Sequence, residues 1–151
     1  MFSFNGLDSI NHEDRLKGLR EIYRVLKQDC LFVFSSHNRN HRHAISRPEM
    51  EFSTMPCKQA GNFIKYFKST CNRLRNKNHQ VFEDQYAIIN DVAHNYAMLT
   101  YYIDKINQLK QLENMGFETI EMYDTLGNTL DINSDDADSA WIYYVARKTN
   151  K

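Results

Sequence analysis

Four polar residues in a row, Ser35-Ser36-His37-Asn38, close the short apolar run Leu31-Phe32-Val33-Phe34. A run apolar on both faces suits a strand covered on both sides, as in a parallel α/β sheet. Open α/β sheets place their ligands just beyond the C-terminal ends of such strands. His37 is the one candidate base in this stretch, because an imidazole titrates near neutrality; its ordinary counterpart is an exposed loop histidine. His41 and His43 follow in a polar segment without supporting carboxylates or thiolates, so no metal set is expected. The chain has only five glycines, and no two of them are placed to form a loop hugging a phosphate or a cofactor.

The elements that must position these residues are legible around them. Asn11 can cap a helix whose first turn holds Glu13 and Asp14. Leu16, Leu19, Ile22, Tyr23 and Leu26 recur at spacings of three and four and share one apolar face. That helix feeds directly into the strand at Leu31. Residues 39–56 are polar, contain Pro48 and Pro56, and read as loop. Residues 57–77 read as a helix with a stripe of Phe63, Ile64, Phe67, Cys71 and Leu74 turned inward and six cations on its other faces.

Tyr86-Ala87-Ile88-Ile89 and Met98-Leu99-Thr100-Tyr101-Tyr102-Ile103 are rich in strand formers and read as a hairpin, with a helix across 91–99 as the alternative. Asp104 caps a helix with Ile106, Leu109 and Leu112 facing inward, and Gly116 stands where a left-handed residue ends it. Residues 119–124 alternate as a half-exposed strand, with Ile120 and Met122 on one face. Residues 126–139 form an acidic, turn-rich loop. Trp141-Ile142-Tyr143-Tyr144-Val145-Ala146 closes the chain as a buried strand.

Length and composition bound the rest. At 151 residues this is one domain's worth of chain, or part of one, with enough apolar side chains for a real core. Net charge is zero but unevenly spread. Residues 37–79 carry nine lysines and arginines against Glu49 and Glu51, while residues 80–138 carry twelve acids against two lysines. Such a split fits two faces meeting, or solvated surfaces, better than a nucleic-acid footprint. Cys30, Cys57 and Cys71 are odd in number, lack CxxC spacing, and read as free thiols of a reducing compartment. No apolar run approaches a membrane span and the N-terminus lacks a signal-peptide pattern, so a cytoplasmic protein with no membrane partner is expected.

The order of these elements resembles the C-terminal half of class I S-adenosylmethionine-dependent methyltransferases. Phe2-Ser3-Phe4-Asn5-Gly6-Leu7-Asp8 is similar to the segment leaving that family's fourth strand. Arg15-Leu16 through Lys27 and Leu31 to Phe34 resemble its next helix and fifth strand. Tyr101-Tyr102-Ile103, Gln111-Leu112-Glu113 with Gly116-Phe117, and Trp141 to Arg147 resemble the closing elements. The likeness covers nearly all of the chain except residues 39–79. Two departures stand out: neither the family's glycine-rich loop nor the acidic residue ending its second strand is present, and the turn at Lys27-Gln28-Asp29-Cys30 lacks the usual Pro-Gly-Gly.

The resemblance implies an α/β fold: a partial Rossmann-like sheet of about four strands, in the spatial order fourth, fifth, seventh, sixth, with the last strand antiparallel. Residues 39–103 would be an inserted substrate lid within one partial domain, 1–151. It casts Asn5 and Gly6 as contacts to the methionine portion of S-adenosylmethionine. Ser35, Asn38, Tyr101 and Tyr102 would contact a small-molecule acceptor, and His37 would be the base. Methyl transfer needs orientation and a water-poor site, plus a base where the nucleophile arrives protonated. The implied function is that of a methyltransferase half whose activity awaits an N-terminal half carrying the glycine-rich loop. The competing readings are a non-catalytic module that dimerises or pairs with a partner through an apolar sheet edge at Phe2 and Phe4, and a basic nucleic-acid module resting on residues 37–79 alone.

Overall fold

A computed structural model describes residues 5–149. Helix α1 spans His12–Val25, and the Asn11 side chain caps it by accepting from the Asp14 N–H at 2.9 Å. Glu13 and Asp14 lie in its positively polarised first turn. Leu19 is fully buried, and Ile22, Tyr23 and Leu26 pack half-buried against the core. The turn that follows manages without glycine. Asp29 takes a left-handed φ of 60°, and the Cys30 N–H donates to the Lys27 carbonyl at 3.2 Å; aspartate tolerates this conformation because its short side chain bonds locally.

Strand β1, Leu31–Asn38, is central to a seven-stranded sheet. The other strands are β2 (Val81–Phe82), β3 (Tyr86–Ile89), β4 (Thr100–Ile103), β5 (Phe117–Tyr123), β6 (Thr129–Leu130) and β7 (Trp141–Lys148), in the order β2-β3-β4-β1-β7-β5-β6. β7 runs antiparallel to β1 from Leu31↔Arg147 to His37↔Trp141, with β5 antiparallel beyond it. The run β1-β7-β5 is the order fifth, seventh, sixth that the resemblance implies. The sheet is wider than four strands because residues 81–103 add β2, β3 and β4, and the acidic loop adds β6. On the other side of β1 lies β4, parallel, paired only at His37↔Tyr102 and Asn38↔Ile103. The strand expected around Phe2 and Phe4 lies outside the described residues. Leu7 itself is buried in a 3-10 turn, Gly6–Ser9.

Leu19 of α1 and Leu112 of helix α3, Lys105–Asn114, share one core cluster with Phe32 and Phe34 of β1, Phe117 and Met122 of β5, and Ile142, Tyr144 and Ala146 of β7. Both helices therefore cover the same sheet face. On the opposite face Val33, Trp141 and Val145 are half-buried and Tyr143 is exposed. Asp104 caps α3 by accepting from the Asn107 N–H at 2.9 Å. At Gly116, φ is +90° and a Cβ would stand 2.8 Å from a Tyr23 ring carbon, so the position requires glycine on both counts.

Three expectations of burial are corrected. In α3 the inward side is Lys105, Gln108, Gln111 and Leu112, whereas Ile106 is exposed; polar partners, not apolar contact, set the rotation. Lys105 Nζ, for instance, donates to the carbonyls of Asp131 and Ser134, both at 2.7 Å. In β5 a register shift between Thr119 and Glu121 breaks the alternation, so Met122 is buried and Ile120 exposed. In helix α2, Pro56–Asn76, the stripe expected to face inward faces solvent instead, and Cys71 on it is exposed with Cys30 and Cys57. The helix turns its polar side to the body, donating from Asn72 to the Asn95 carbonyl and from Asn76 to the Tyr96 carbonyl.

β3 and β4 pair antiparallel from Tyr86↔Ile103 to Ile89↔Thr100, which is the hairpin rather than the alternative helix. Their connection is a 3-10 turn, Ala93–Tyr96, in which His94, Asn95 and Tyr96 all take left-handed backbone conformations. Asn90 Nδ2 holds it by donating to the carbonyls of Tyr96 and Met98, both at 2.7 Å.

Candidate functional site

The C-terminal end of β1 meets the Gly6–Ser9 turn at one buried carboxylate. Asp8 accepts four hydrogen bonds. Oδ1 takes Arg15 Nη1 and, at 2.8 Å, the Ser36 hydroxyl; Oδ2 takes the His37 backbone N–H at 2.6 Å and His37 Nδ1 at 2.7 Å. That uses the full acceptor capacity of a carboxylate. Arg15 is fully buried, and its other two nitrogens donate as well. Nε donates to Gln111 Oε1 at 3.2 Å, and Nη2 to Gln108 Oε1 at 2.8 Å and to Ser36 Oγ at 3.1 Å. Its guanidinium carbon lies 4.5 Å from the centroid of the Tyr101 ring, a cation–π contact.

These contacts orient His37. Because Asp8 only accepts, Nδ1 donates to it. Nε2 lies 3.3 Å from the Asn5 amide nitrogen, which donates to it. The imidazole is about one-fifth exposed, 21% against 1% for Asp8. The imidazole is thus held at both nitrogens, Nδ1 by the Asp8 carboxylate and Nε2 by the Asn5 amide, and a carboxylate so placed can orient the ring and stabilise an imidazolium.

The residues singled out from the sequence divide between the two sheet faces. His37 and Tyr102 are register partners with ring centroids 5.0 Å apart. Ser35 lies on the same face, and its Oγ accepts from the Asn5 N–H at 3.2 Å. The Tyr102 hydroxyl donates to Asp91 Oδ2 at 2.8 Å, and burial together with that carboxylate holds its pKa far above the ordinary tyrosine value. Tyr101 points to the opposite face, fully buried, its hydroxyl 2.9 Å from His12 Nδ1 and 3.4 Å from Gln111 Nε2. Burial raises its pKa to about 12. Asn38 is committed internally: Nδ2 donates to the carbonyls of Asp136 and Ser139, and Oδ1 accepts from the Asn40 N–H. Gly6 is exposed and opens the 3-10 turn that carries Asp8. The structure thus brings together Asn5, Ser35, His37 and Tyr102, and leaves Asn38 and Tyr101 elsewhere. Among the described residues, no three of His, Cys, Asp and Glu gather as metal ligands.

Sequence reasoning missed Asp8 and Arg15. A signal was present: Arg15 falls on the helix face of Leu19 and Ile22, at spacings of four and seven. A cation on an inward face needs a buried acid within reach, and Asp8 is the last acid before the helix begins at His12.

Two cavities lie apart from this centre, and neither is lined by Asp8 or His37. One, of about 190 Å³, lies between α1, β4 and α3 and is lined by His12, Tyr101, Lys110 and Gln111 among others. The other, about 550 Å³, lies under α2 against the loop before it, bounded by His43, Arg47, Tyr66, Ser69 and Tyr96.

No protein-family model matches the sequence, and no curated protein matches it. Solved structures do. A S-adenosylmethionine-dependent methyltransferase from Clostridium acetobutylicum superposes over 98% of this chain and 56% of its own, with a TM-score of 0.54 at 10% identity. The CcbJ methyltransferase from Streptomyces caelestis superposes over 97% of this chain and 58% of its own, with a TM-score of 0.52 at 13% identity. The fold is that of the class I methyltransferases. This chain spans little more than half the length of the methyltransferases it matches.

Asn5 Oδ1 is buried without a hydrogen-bond partner among the described residues. An orphaned carbonyl oxygen beside the candidate base suits a ligand group that donates, such as an ammonium. The chain's other glycines lie in helices at Gly18 and Gly61, at a helix end at Gly116 and in an exposed turn at Gly127, so none of them forms a donor-cradling loop.

Proposed function

We propose that this chain is the acceptor-side portion of a S-adenosylmethionine-dependent methyltransferase acting on a small molecule. The glycine-rich wall of the donor site comes from a cofactor-binding half outside these 151 residues. The observation that carries the reading is the Asp8–His37 pair at the carboxyl end of β1, where open α/β sheets bind ligands. The donor supplies an electrophilic methyl group on a sulfonium, which leaves as a neutral thioether. Asn5 Oδ1 accepts from the donor's ammonium. His37 Nε2, once the Asn5 amide N–H gives way to the acceptor, takes the proton that the acceptor's nucleophile loses, and Asp8 holds the resulting imidazolium in place. Tyr102 and Ser35 line the His37 side of the acceptor space, and the loop and helix of residues 39–76 form its lid. The half-exposed face of Val33, Trp141, Tyr143 and Val145 offers the cofactor-binding half a surface for a second helix layer, as sheets of this class carry.

The test is transfer of labelled methyl from S-adenosylmethionine to a panel of small amines, phenols and carboxylates, by this chain alone and with a reconstructed N-terminal half. Turnover with the half and little without it is expected. No binding and no turnover in either setting would overturn the reading.

A further inference from the structure

Helix α2 is inverted relative to an ordinary surface helix. Ala60, Phe63, Ile64, Phe67, Cys71 and Leu74 recur at spacings of one, three and four and form one stripe about 100° wide. Along it Phe63, Ile64, Phe67 and Leu74 are 58, 67, 63 and 67% exposed. The polar side faces inward and is pinned there. Asn62 donates to the Glu51 carbonyl at 2.9 Å and Arg73 to the Ser46 carbonyl, Asn72 bonds at 2.9 Å and Asn76 at 3.2 Å, and Gln59 Oε1 accepts from the Ser53 N–H at 2.7 Å. Rotating the stripe inward would forfeit this whole set, so its exposure belongs to the fold.

Within α2 itself the charge is of one sign, with Lys65 Nζ paired to the Glu51 carboxylate at 3.1 Å. Between Glu51 and Glu83 there is no acidic residue and there are six lysines and arginines. Lys68 and Arg75 lie directly beside the stripe, with Lys58 and Lys65 further round the same side. Phe52 and Met55, at the entrance to the helix, are 86 and 65% exposed. A second copy docked through this face would set cations against cations. A nucleic acid would press phosphates against Ile64 and Leu74. An apolar ridge with a wholly cationic flank matches an anionic headgroup layer, with acyl chains beneath for the ridge and negative charge above for the flank.

We propose that α2 is a peripheral anchor lying in the surface of an anionic bilayer, with Phe63, Ile64, Phe67 and Leu74 inserted and Lys68 and Arg75 on the headgroups. No helix among the described residues is long and apolar enough to cross a membrane; this one has the pattern of a helix that lies on it. The inference is independent of the chemistry proposed above.

The experiment is co-sedimentation of the full chain with vesicles of phosphatidylcholine containing about 30 mol% phosphatidylglycerol, and with pure phosphatidylcholine. Binding to the anionic vesicles is expected, weakening at about 0.5 M salt. Ile64→Glu/Phe67→Glu and Lys68→Glu/Arg75→Glu should each lower the partition coefficient about tenfold or more. Leu126→Glu, an 86% exposed position elsewhere, should leave it unchanged. Circular dichroism verifies that each variant is folded, which replacements at solvent-facing positions permit. Absence of binding to anionic vesicles, equal binding by all variants, or a wild-type dimer that Ile64→Glu/Phe67→Glu dissociates while vesicles bind nothing would each overturn the proposal.

Discussion

Asp8 Oδ2 accepts twice from the same residue, from the His37 backbone N–H at 2.6 Å and from its ring Nδ1 at 2.7 Å. One carboxylate oxygen therefore fixes both where β1 ends and which way its imidazole faces. On the other oxygen Arg15 completes a buried ion pair, so the base, the strand end and the first helix are tied to a single acid.

The pair predicts strong energetic coupling. Removing either charge alone strands the other in the interior, at a cost of about 3–5 kcal/mol, while removing both together costs much less than the sum. Asp8→Leu, Arg15→Met and the double variant, compared by urea denaturation, measure this directly. Additive losses would mean that the ion pair is not what holds the turn to α1.

His37 should matter to turnover more than to stability, since its ring is partly exposed and its Nε2 is met only by the half-buried Asn5 amide at 3.3 Å. In an active assembly, His37→Gln is expected to lower kcat about 10²- to 10⁴-fold for an acceptor that must lose a proton, the range of a general base. It should leave the urea midpoint near that of the wild type. An acceptor nucleophile that arrives already deprotonated should be methylated by the variant almost as fast. Equal losses on both acceptor types would assign His37 to positioning rather than to proton transfer.

A second histidine carries a pH signature. His12 stacks on Tyr86 with centroids 4.1 Å apart, and its Nδ1 is hydrogen-bonded to the Tyr101 hydroxyl at 2.9 Å. Burial, then the Arg15 charge, lowers its pKa below the ordinary 6.5, outweighing Glu13 and Glu83. Because the unfolded chain takes up this proton at higher pH than the folded one, stability is fully present above about 6.5 and falls as pH drops toward the depressed folded value. His12→Gln should flatten the dependence of the unfolding midpoint on pH between about 7 and 5. An unchanged slope would place the acid sensitivity on other groups.

Much of the fold could be read from periodicity and caps: α1 from Asn11, α3 from Asp104 and Gly116, β1 and β7 from their apolar runs, and the β3–β4 hairpin from its strand formers. The failures share one cause. Periodicity assumes that the apolar side of a helix turns inward, but in α2 the ladder of Gln59, Asn62, Asn72 and Asn76, and in α3 Lys105 and Gln108, found carbonyls and side chains that reversed or rotated the packing. Such partners lie far away in sequence; Asn72, for example, meets Asn95. The same blindness hid half of the candidate site. His37 was visible because its type suggests chemistry, whereas Asp8 gains its role only once the 3-10 turn sets it under β1. The alternation of Tyr101 and Tyr102 across a strand was legible in principle and excludes both from one pocket.

The junction at Gly116 permits a prediction in which two causes separate. Gly116→Ala meets a positive φ and a Tyr23 ring carbon only 2.8 Å from the new Cβ. The left-handed backbone alone costs an L-residue about 1–2 kcal/mol, and the clash adds to it, because Tyr23 is held on its far side by its hydroxyl donating to the Thr149 carbonyl at 2.9 Å and by its edge contact with Phe117. Combining Gly116→Ala with Tyr23→Leu should relieve the clash but not the backbone cost. The double variant should therefore lose less than the two single losses added together, while Gly116→Ala still costs about 1 kcal/mol in the Tyr23→Leu background. Full additivity in urea denaturation would show that the ring moves aside freely, leaving the backbone as the sole reason for glycine at this position.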